Sequence, residues 1–192
     1  PAGHSLPEQP AITKERETAS QTKRHAMILK GRYLAGDEVV KDDYLSLFWQ
    51  GESRIAVGDI SGMTEQSIRL VNTLDPRPLL HHKVAHFPAF DQAVTNANIC
   101  ALIYPEEHCV PFSALAVFDD NETRNKVRKA LIANRIYPAI LWPLDNPLLP
   151  GVGRGETALS ERILSIHIDI RYRLEDLAKV VAVMQKALAG HA

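Results

Sequence analysis

The sequence has few of the features that point directly to a function. Its two cysteines, Cys100 and Cys109, fit neither a CxxC redox motif nor a zinc-binding spacing. The formal net charge is −1, which indicates no surface for nucleic acid or for a membrane. No apolar run approaches the length of a membrane-spanning helix, and the first residues lack the pattern of a secretory signal. We therefore expect a cytoplasmic protein with reduced thiols that binds neither nucleic acid nor a membrane.

Motifs that carry catalysis or metal binding are also scarce. No GxSxG occurs, and the glycine-rich segment 150–156 does not follow a strand, so it favours a loop over a phosphate cradle. His81, His82 and His86 form an HHxxxH cluster in which His82 and His86 lie one helical turn apart. They could share a metal ion, but Lys83 stands where a zincin has glutamate. We interpret them as surface or interface histidines, and expect no metal.

Composition and periodicity predict an α+β protein in two parts. With 192 residues, 45% of them hydrophobic, the chain is long enough for a packed core. We predict an extended lead at 1–12, a helical segment at 13–97 and a small α+β domain at 98–192. In this fold class the helical N-terminal half precedes a small, mostly antiparallel sheet covered by helices.

The helical half is predicted from caps and apolar spacing. Thr13 is expected to cap a first helix that runs to about Leu34, and Thr64 a short third helix. Asp37 is expected to open a second helix that runs through Trp49, and segment 51–62 is expected to be a loop or an interrupted segment. The last predicted helix of this half covers about 79–97, despite Pro88 inside it.

The second half reads as β, β, α, β, β, α. Short apolar runs at 99–104, 110–118, 136–144 and 162–170 predict strands, with Pro138 favouring an edge position for the third. Asp120 or Asn121 is expected to cap the intervening helix. A long loop is expected at 145–160. The final helix is predicted to present one apolar face formed by Leu174, Leu177, Val180, Val181, Met184 and Leu188.

Polar residues at two strand ends are the candidates for a site. Asp169, Arg171 and Tyr172 lie where the last predicted strand ends, and the arginine there could bind a carboxylate or phosphate through two hydrogen bonds. In the structural alternative, Asp169 caps the final helix and Arg171 forms a surface ion pair. Trp142 lies near the end of the third predicted strand, where an aromatic ring either lines a pocket or belongs to the core.

Several segments, in order, are similar to a known enzyme family. These are "KGRYLAGDEVVKDDYLSLFWQGESRI", "GMTEQSIRLVNTLD", "VRKALIANRIYPAILWPL" and "LSERILSIHIDIRYRLEDLAKV". Together they resemble the C-terminal half of the DegT/DnrJ/EryC1/StrS family, which are pyridoxal-phosphate-dependent sugar aminotransferases of the aspartate aminotransferase fold, fold type I. The resemblance extends from about Lys30 to Leu188.

The resemblance implies a part of a larger enzyme. In the family a large domain holds the lysine to which pyridoxal phosphate (PLP) is bound covalently, followed shortly by a glycine pair, and no such motif occurs here. The resemblance thus implies a missing large domain on which 13–97 docks, a homodimeric parent, and an amino-donor or sugar substrate. The chain alone is then inactive, with no PLP bound covalently to it.

The resemblance also implies which residues lie near the substrate. They are the polar and aromatic residues near the ends of the third and last predicted strands: Trp142, His167, Asp169, Arg171 and Tyr172. None of them is assigned a catalytic role. The alternative is a stand-alone, non-catalytic α+β module that binds a ligand or a partner protein. The two interpretations differ in whether a lysine-bearing half is encoded upstream of Pro1.

Overall fold

A computed structural model describes residues 10–37, 40–58, 60–141, 143–147 and 150–189. Within these ranges the chain forms seven helices and one three-stranded sheet, and it divides between Leu74 and Asp75 into two compact units. We call them the N-terminal unit and the C-terminal unit. This boundary comes earlier in the chain than the predicted one near residue 97. The reason is that the helix ending at Ala97 contributes Phe87, Phe90 and Val94 to the core of the C-terminal unit.

The N-terminal unit consists of helices α1 (Lys14–Leu34), α2 (Lys41–Val57) and α3 (Glu65–Thr73). Thr13 and Thr64 cap α1 and α3 as predicted, since their hydroxyls accept hydrogen bonds from the backbone N–H groups of Arg16 and Ser67. The second helix begins later than predicted, at Lys41, and runs through most of the segment predicted as a loop.

Helices α1 and α2 pack together through small residues. Ala19 and Ala26 of α1 are buried, as is Gly51 of α2. A Cβ atom at Gly51 would collide with the Lys23 side chain and come within 3.2 Å of the Ala19 carbonyl oxygen. Gly51 therefore permits the close approach of the two helices, within a segment for which the sequence did not predict a continuous helix.

The C-terminal unit combines four helices with an antiparallel sheet in the order β1-β2-β3. Strand β2 pairs with both neighbours, in the registers Ala101↔Val117 and Ala114↔Ile166. This confirms the predicted α+β class with a small antiparallel sheet. The elements are α4 (Arg77–Ala97), β1 (Ala101–Ile103), β2 (Ala114–Val117), α5 (Asn121–Ala133), α6 (Arg154–Arg162), β3 (Ile163–Ile166) and α7 (Leu174–Ala189).

One core lies between the sheet and helices α4, α5 and α7. Its fully buried side chains include Phe90, Leu131 and Met184 from the three helices, and Leu164 and Ile166 from β3. All four residues of β3 are buried, which matches its place beside β2 under the helices. The predicted apolar face of α7 is largely correct, but Leu174 is exposed because it begins the helix beyond the edge of the core.

Two predictions in the C-terminal unit were wrong. Segment 136–144 forms no regular strand among its described residues; it makes one bridge, in which Ala139 and Ser165 exchange backbone hydrogen bonds of 3.0 and 2.8 Å. Pro138 precedes this bridge and has no N–H group with which to extend it. The loop predicted at 145–160 contains most of α6, which begins after Gly153 and buries Ser160.

Candidate functional site

The candidate site is built on the turn that connects β3 to α7. Ile168 anchors the turn in the core, and the backbone N–H of Tyr172 donates to the carbonyl oxygen of Asp169 at 3.0 Å. The N-terminal turn of α7 is stabilised by Asp176, whose carboxylate accepts from the Arg173 N–H at 2.9 Å. The predicted alternative in which Asp169 caps α7 is therefore wrong, and its carboxylate pairs with Arg171 instead.

Asp169 holds Arg171 through three hydrogen bonds. The Arg171 Nε and Nη2 atoms each donate to one carboxylate oxygen of Asp169 at 2.7 Å, and the Arg171 backbone N–H donates at 3.1 Å. The guanidinium group lowers the pKa of Asp169 to about 2, and the carboxylate raises the pKa of Arg171. These hydrogen bonds fix the orientation of the Arg171 guanidinium. The side chain still faces solvent, because 60% of it is exposed.

Two aromatic rings lie beside this pair. The Arg171 guanidinium stands 5.5 Å from the centre of the Tyr172 ring, within the range of a cation–π contact. The rings of Tyr172 and His167 are parallel, with an interplanar angle of 1° and centroids 6.3 Å apart. Burial raises the pKa of the Tyr172 hydroxyl, so this residue is neutral at physiological pH. The turn thus brings four of the five candidate residues together.

Helix α4 adds two histidines that local sequence signals do not connect to this turn. His82 Nε2 lies 3.0 Å from the Tyr172 carbonyl oxygen, ninety positions along the chain. The rings of His82 and His86 are 3.7 Å apart. His86 is buried, its Nδ1 atom has no hydrogen-bond partner in the described part of the chain, and burial followed by the charge of His82 lowers its pKa.

We call His82, His167, Asp169, Arg171 and Tyr172 the β3–α7 corner. His82 was predicted to lie at a surface or an interface; it is half-buried against the turn. Only tertiary structure brings it there, so the HHxxxH pattern could not indicate the contact. Among the residues described, no three or more histidine, cysteine or acidic side chains are placed to hold a metal ion. Trp142 lies outside the described residues.

The corner does not fit PLP as a complete binding site. None of its five residues is a lysine that could bind PLP covalently, and the Asp169 carboxylate is already held by the Arg171 guanidinium. Lys83, which follows His82 on α4, donates its ammonium group to the Phe112 carbonyl oxygen at 2.8 Å and lies over the Phe112 ring. What the corner offers is a fixed, exposed guanidinium beside aromatic surfaces, which suits recognition of an anionic group.

Comparison with known proteins gives no direct assignment, since no family model and no curated protein matches this sequence. Within the described ranges, no helix is both long enough and apolar enough to cross a membrane. The resemblance to sugar aminotransferases therefore stays a prediction, and function has to be argued from the residues themselves.

Proposed function

We propose that this chain is the C-terminal portion of a PLP-dependent aminotransferase-like protein of the sugar aminotransferase family. In this proposal the β3–α7 corner shapes the substrate side of the cleft. The observation that carries it is the Arg171 guanidinium, which Asp169 holds in one orientation while most of the side chain faces solvent. The sequence resemblance and the antiparallel α+β fold of the C-terminal unit support the same proposal.

The geometry at Arg171 favours binding of an anionic substrate group. A guanidinium that is already fixed loses little side-chain entropy when it binds a carboxylate or phosphate. The neighbouring rings of Tyr172 and His167 provide an apolar surface against which a substrate can pack. His82 contacts the Tyr172 carbonyl oxygen and so helps to hold the Tyr172 backbone in position.

The proposal assigns the chemistry to a part of the protein upstream of this chain. In such enzymes PLP supplies the electron sink and a lysine moves the proton. The corner would bind and orient the substrate and help to exclude water when the cleft closes. On this basis the chain alone has no aminotransferase activity.

The first experiment is to determine the coding sequence upstream of Pro1. The proposal expects an open reading frame that continues for roughly a further domain of 100–150 residues or more. It also expects a lysine followed shortly by a glycine pair. An upstream sequence without such a lysine would contradict the aminotransferase assignment.

The second experiment tests Arg171 in the longer protein, with a panel of amino donors and sugar acceptors. Arg171→Met should raise KM for the anionic substrate by about 10- to 100-fold, the size of one hydrogen-bonded charge contact. The PLP content should stay unchanged. Arg173→Met is the matched control, because Arg173 is exposed two positions further along the same turn. Equal KM values for the two variants would exclude a binding role for Arg171.

A stand-alone binding module is the second candidate, favoured by the independent core of the C-terminal unit. It would need no upstream catalytic half, and the corner would bind its ligand without chemistry. Native mass spectrometry of the chain purified from its own cells would distinguish the two. A stoichiometric small ligand that Arg171→Met removes, on a chain with no upstream lysine, would favour the module.

A further inference from the structure

A second cleft lies at the other end of β3, between the start of α5 and the end of α6. It has a volume of about 310 Å³ and is lined by Arg124, Asn121, Asp145 and Glu161, among others. Strand β3 begins directly after α6, whereas the β3–α7 corner follows the last residue of the strand. The two sites therefore lie at opposite ends of one buried strand, and the inference below does not rest on the proposed function.

Arg124 is the unusual residue of this cleft. Arg124 is only 6% exposed, and its Nε and Nη1 atoms are buried with no hydrogen-bond partner among the described residues. Burial, followed by the nearby charge of Arg128, lowers the pKa of Arg124. Arginine stays charged in proteins, so the described part of the chain keeps a buried cation in which two of the three guanidinium nitrogens have no hydrogen-bond partner.

Burying such a cation lowers the stability of the fold unless a counterion pairs with it. The contrast with Arg171 is direct, because Arg171 is exposed and yet donates three hydrogen bonds to Asp169. Asp145 and Glu161 line the same cleft and their charges favour the charged form of Arg124, but neither forms an ion pair with it. A buried polar group without a partner commonly marks a site that a ligand completes.

The surroundings of Arg124 suit an anion of low charge. Arg124 lies in the first turn of α5, where Asp120 already accepts from the backbone N–H groups of Thr123 and Arg124, so the helix N-terminus adds little attraction for a highly charged anion. Asn121, the first residue of that helix, is fixed by donating its side-chain amide to the Glu161 carbonyl oxygen at 3.2 Å. The carboxylates of Asp145 and Glu161 would repel a doubly charged phosphate more strongly than a singly charged carboxylate.

We propose that this cleft is a binding site for the carboxylate group of a small molecule, with Arg124 as its principal ligand. A carboxylate matches one edge of the planar guanidinium, on which Nη2 donates together with either Nε or Nη1, so paired hydrogen bonds satisfy one of the two orphaned donors. Because Asp145 and Glu161 add negative charge to the cleft, it favours a small molecule in which the group next to the carboxylate is positively charged or neutral.

The test measures thermal unfolding of the whole chain in sodium acetate against sodium chloride at equal ionic strength. The variants are Arg124→Met, which keeps the apolar stem, and Arg154→Met as a control. Arg154 is exposed at the start of α6 and does not line the cleft. Acetate should raise the Tm of the wild type and of Arg154→Met by roughly 3 °C at about ten times its Kd. Arg124→Met should show no such shift.

A second readout separates binding from a structural role. Without acetate, Arg124→Met should unfold at the same temperature as the wild type or higher, because it removes a buried charge that has no partner. The NMR signal of the Arg124 Nε–H group, identified by its loss in Arg124→Met, should move on titration with acetate. A wild type that acetate does not stabilise would overturn the proposal, as would a lower Tm of Arg124→Met without acetate. A larger shift with inorganic phosphate than with acetate would overturn the assignment to carboxylates.

Discussion

The two units of the chain differ in what they bury. The C-terminal unit encloses large side chains completely, among them Phe90, Phe118 and Leu131. In the described residues of the N-terminal unit, the buried hydrophobic side chains are Ala19, Ala26, Leu29 and Val40. The first unit is thus held by close helix contact through small residues, and the second by a core of aromatic and branched side chains.

The apolar residues that the N-terminal unit does not bury lie on its surface. They include one tryptophan and several long aliphatic side chains, each more than 50% exposed: Met27, Ile28, Leu34, Trp49, Val57, Ile60, Leu70, Val71 and Leu74. Such exposed apolar surface is characteristic of a region that packs against something else. The C-terminal unit therefore has a hydrophobic core of its own, whereas the described residues of the N-terminal unit bury few apolar side chains.

The largest expected effect is therefore confined to the C-terminal unit. Phe90→Ala should lower its free energy of unfolding by about 3–5 kcal/mol, because it removes a fully buried aromatic ring and leaves a cavity. Phe112→Ala is the control, since the Phe112 side chain is 68% exposed. Hydrogen exchange measured by mass spectrometry should show faster exchange in α4, α5 and α7 and unchanged exchange in α1 and α2. Equal acceleration in both units would mean that they unfold as one.

The second prediction concerns self-association through the N-terminal unit. Trp49→Ser should reduce association of the chain, because it removes a 66% exposed indole from α2. Its own effect on unfolding should stay within about 0.5 kcal/mol, as for other surface substitutions. Light scattering over a range of concentrations measures the association, with Trp49→Phe as the variant that keeps an apolar ring. An average mass as high in Trp49→Ser as in the wild type would contradict a role for this surface.

Local signals in the sequence were enough for the helix caps and for the α+β class. Thr13 and Thr64 were predicted as caps, and Asp120 as one of two candidates with Asn121. Each of the three accepts from a backbone N–H three positions later, a contact that depends on nothing distant. The pairing of Asp169 with Arg171 was likewise within reach, since the residues are two positions apart. The strand that precedes them was predicted because its apolar run is nearly continuous.

Features that depend on distant contacts were missed. Glycine at 51 and 153 indicated loops, but Gly51 is needed where α1 approaches α2, and Gly153 precedes a helix that buries Ser160. His82 reaches the carbonyl of Tyr172 only because α4 packs beside α7. Arg124 has buried nitrogen atoms without hydrogen-bond partners only because the folded unit covers it, and no sequence pattern indicates this.

The smallest expected effect compares two copies of one local motif. Asp75 and Arg77 form the same three hydrogen bonds as Asp169 and Arg171, from the backbone N–H, Nε and Nη2, at 2.9–3.0 Å. The surroundings differ, because the Asp75 side chain is 48% exposed and that of Asp169 is 21% exposed. Arg77 lowers the pKa of Asp75, and Arg171 lowers that of Asp169 to about 2.

Asp169→Asn should therefore cost about 0.5–1 kcal/mol of stability at neutral pH, and Asp75→Asn should have a smaller effect. The pKa of Asp169 is depressed in the folded state, so its contribution is complete above the unfolded value of about 3.9 and is lost as pH falls through about 2. Urea unfolding of wild type and Asp169→Asn should give a stability difference that shrinks between about pH 4 and pH 2. A difference that persists unchanged at pH 2, or that is equal for Asp75→Asn, would show that the partly buried pair at the β3–α7 corner is no stronger than its exposed counterpart.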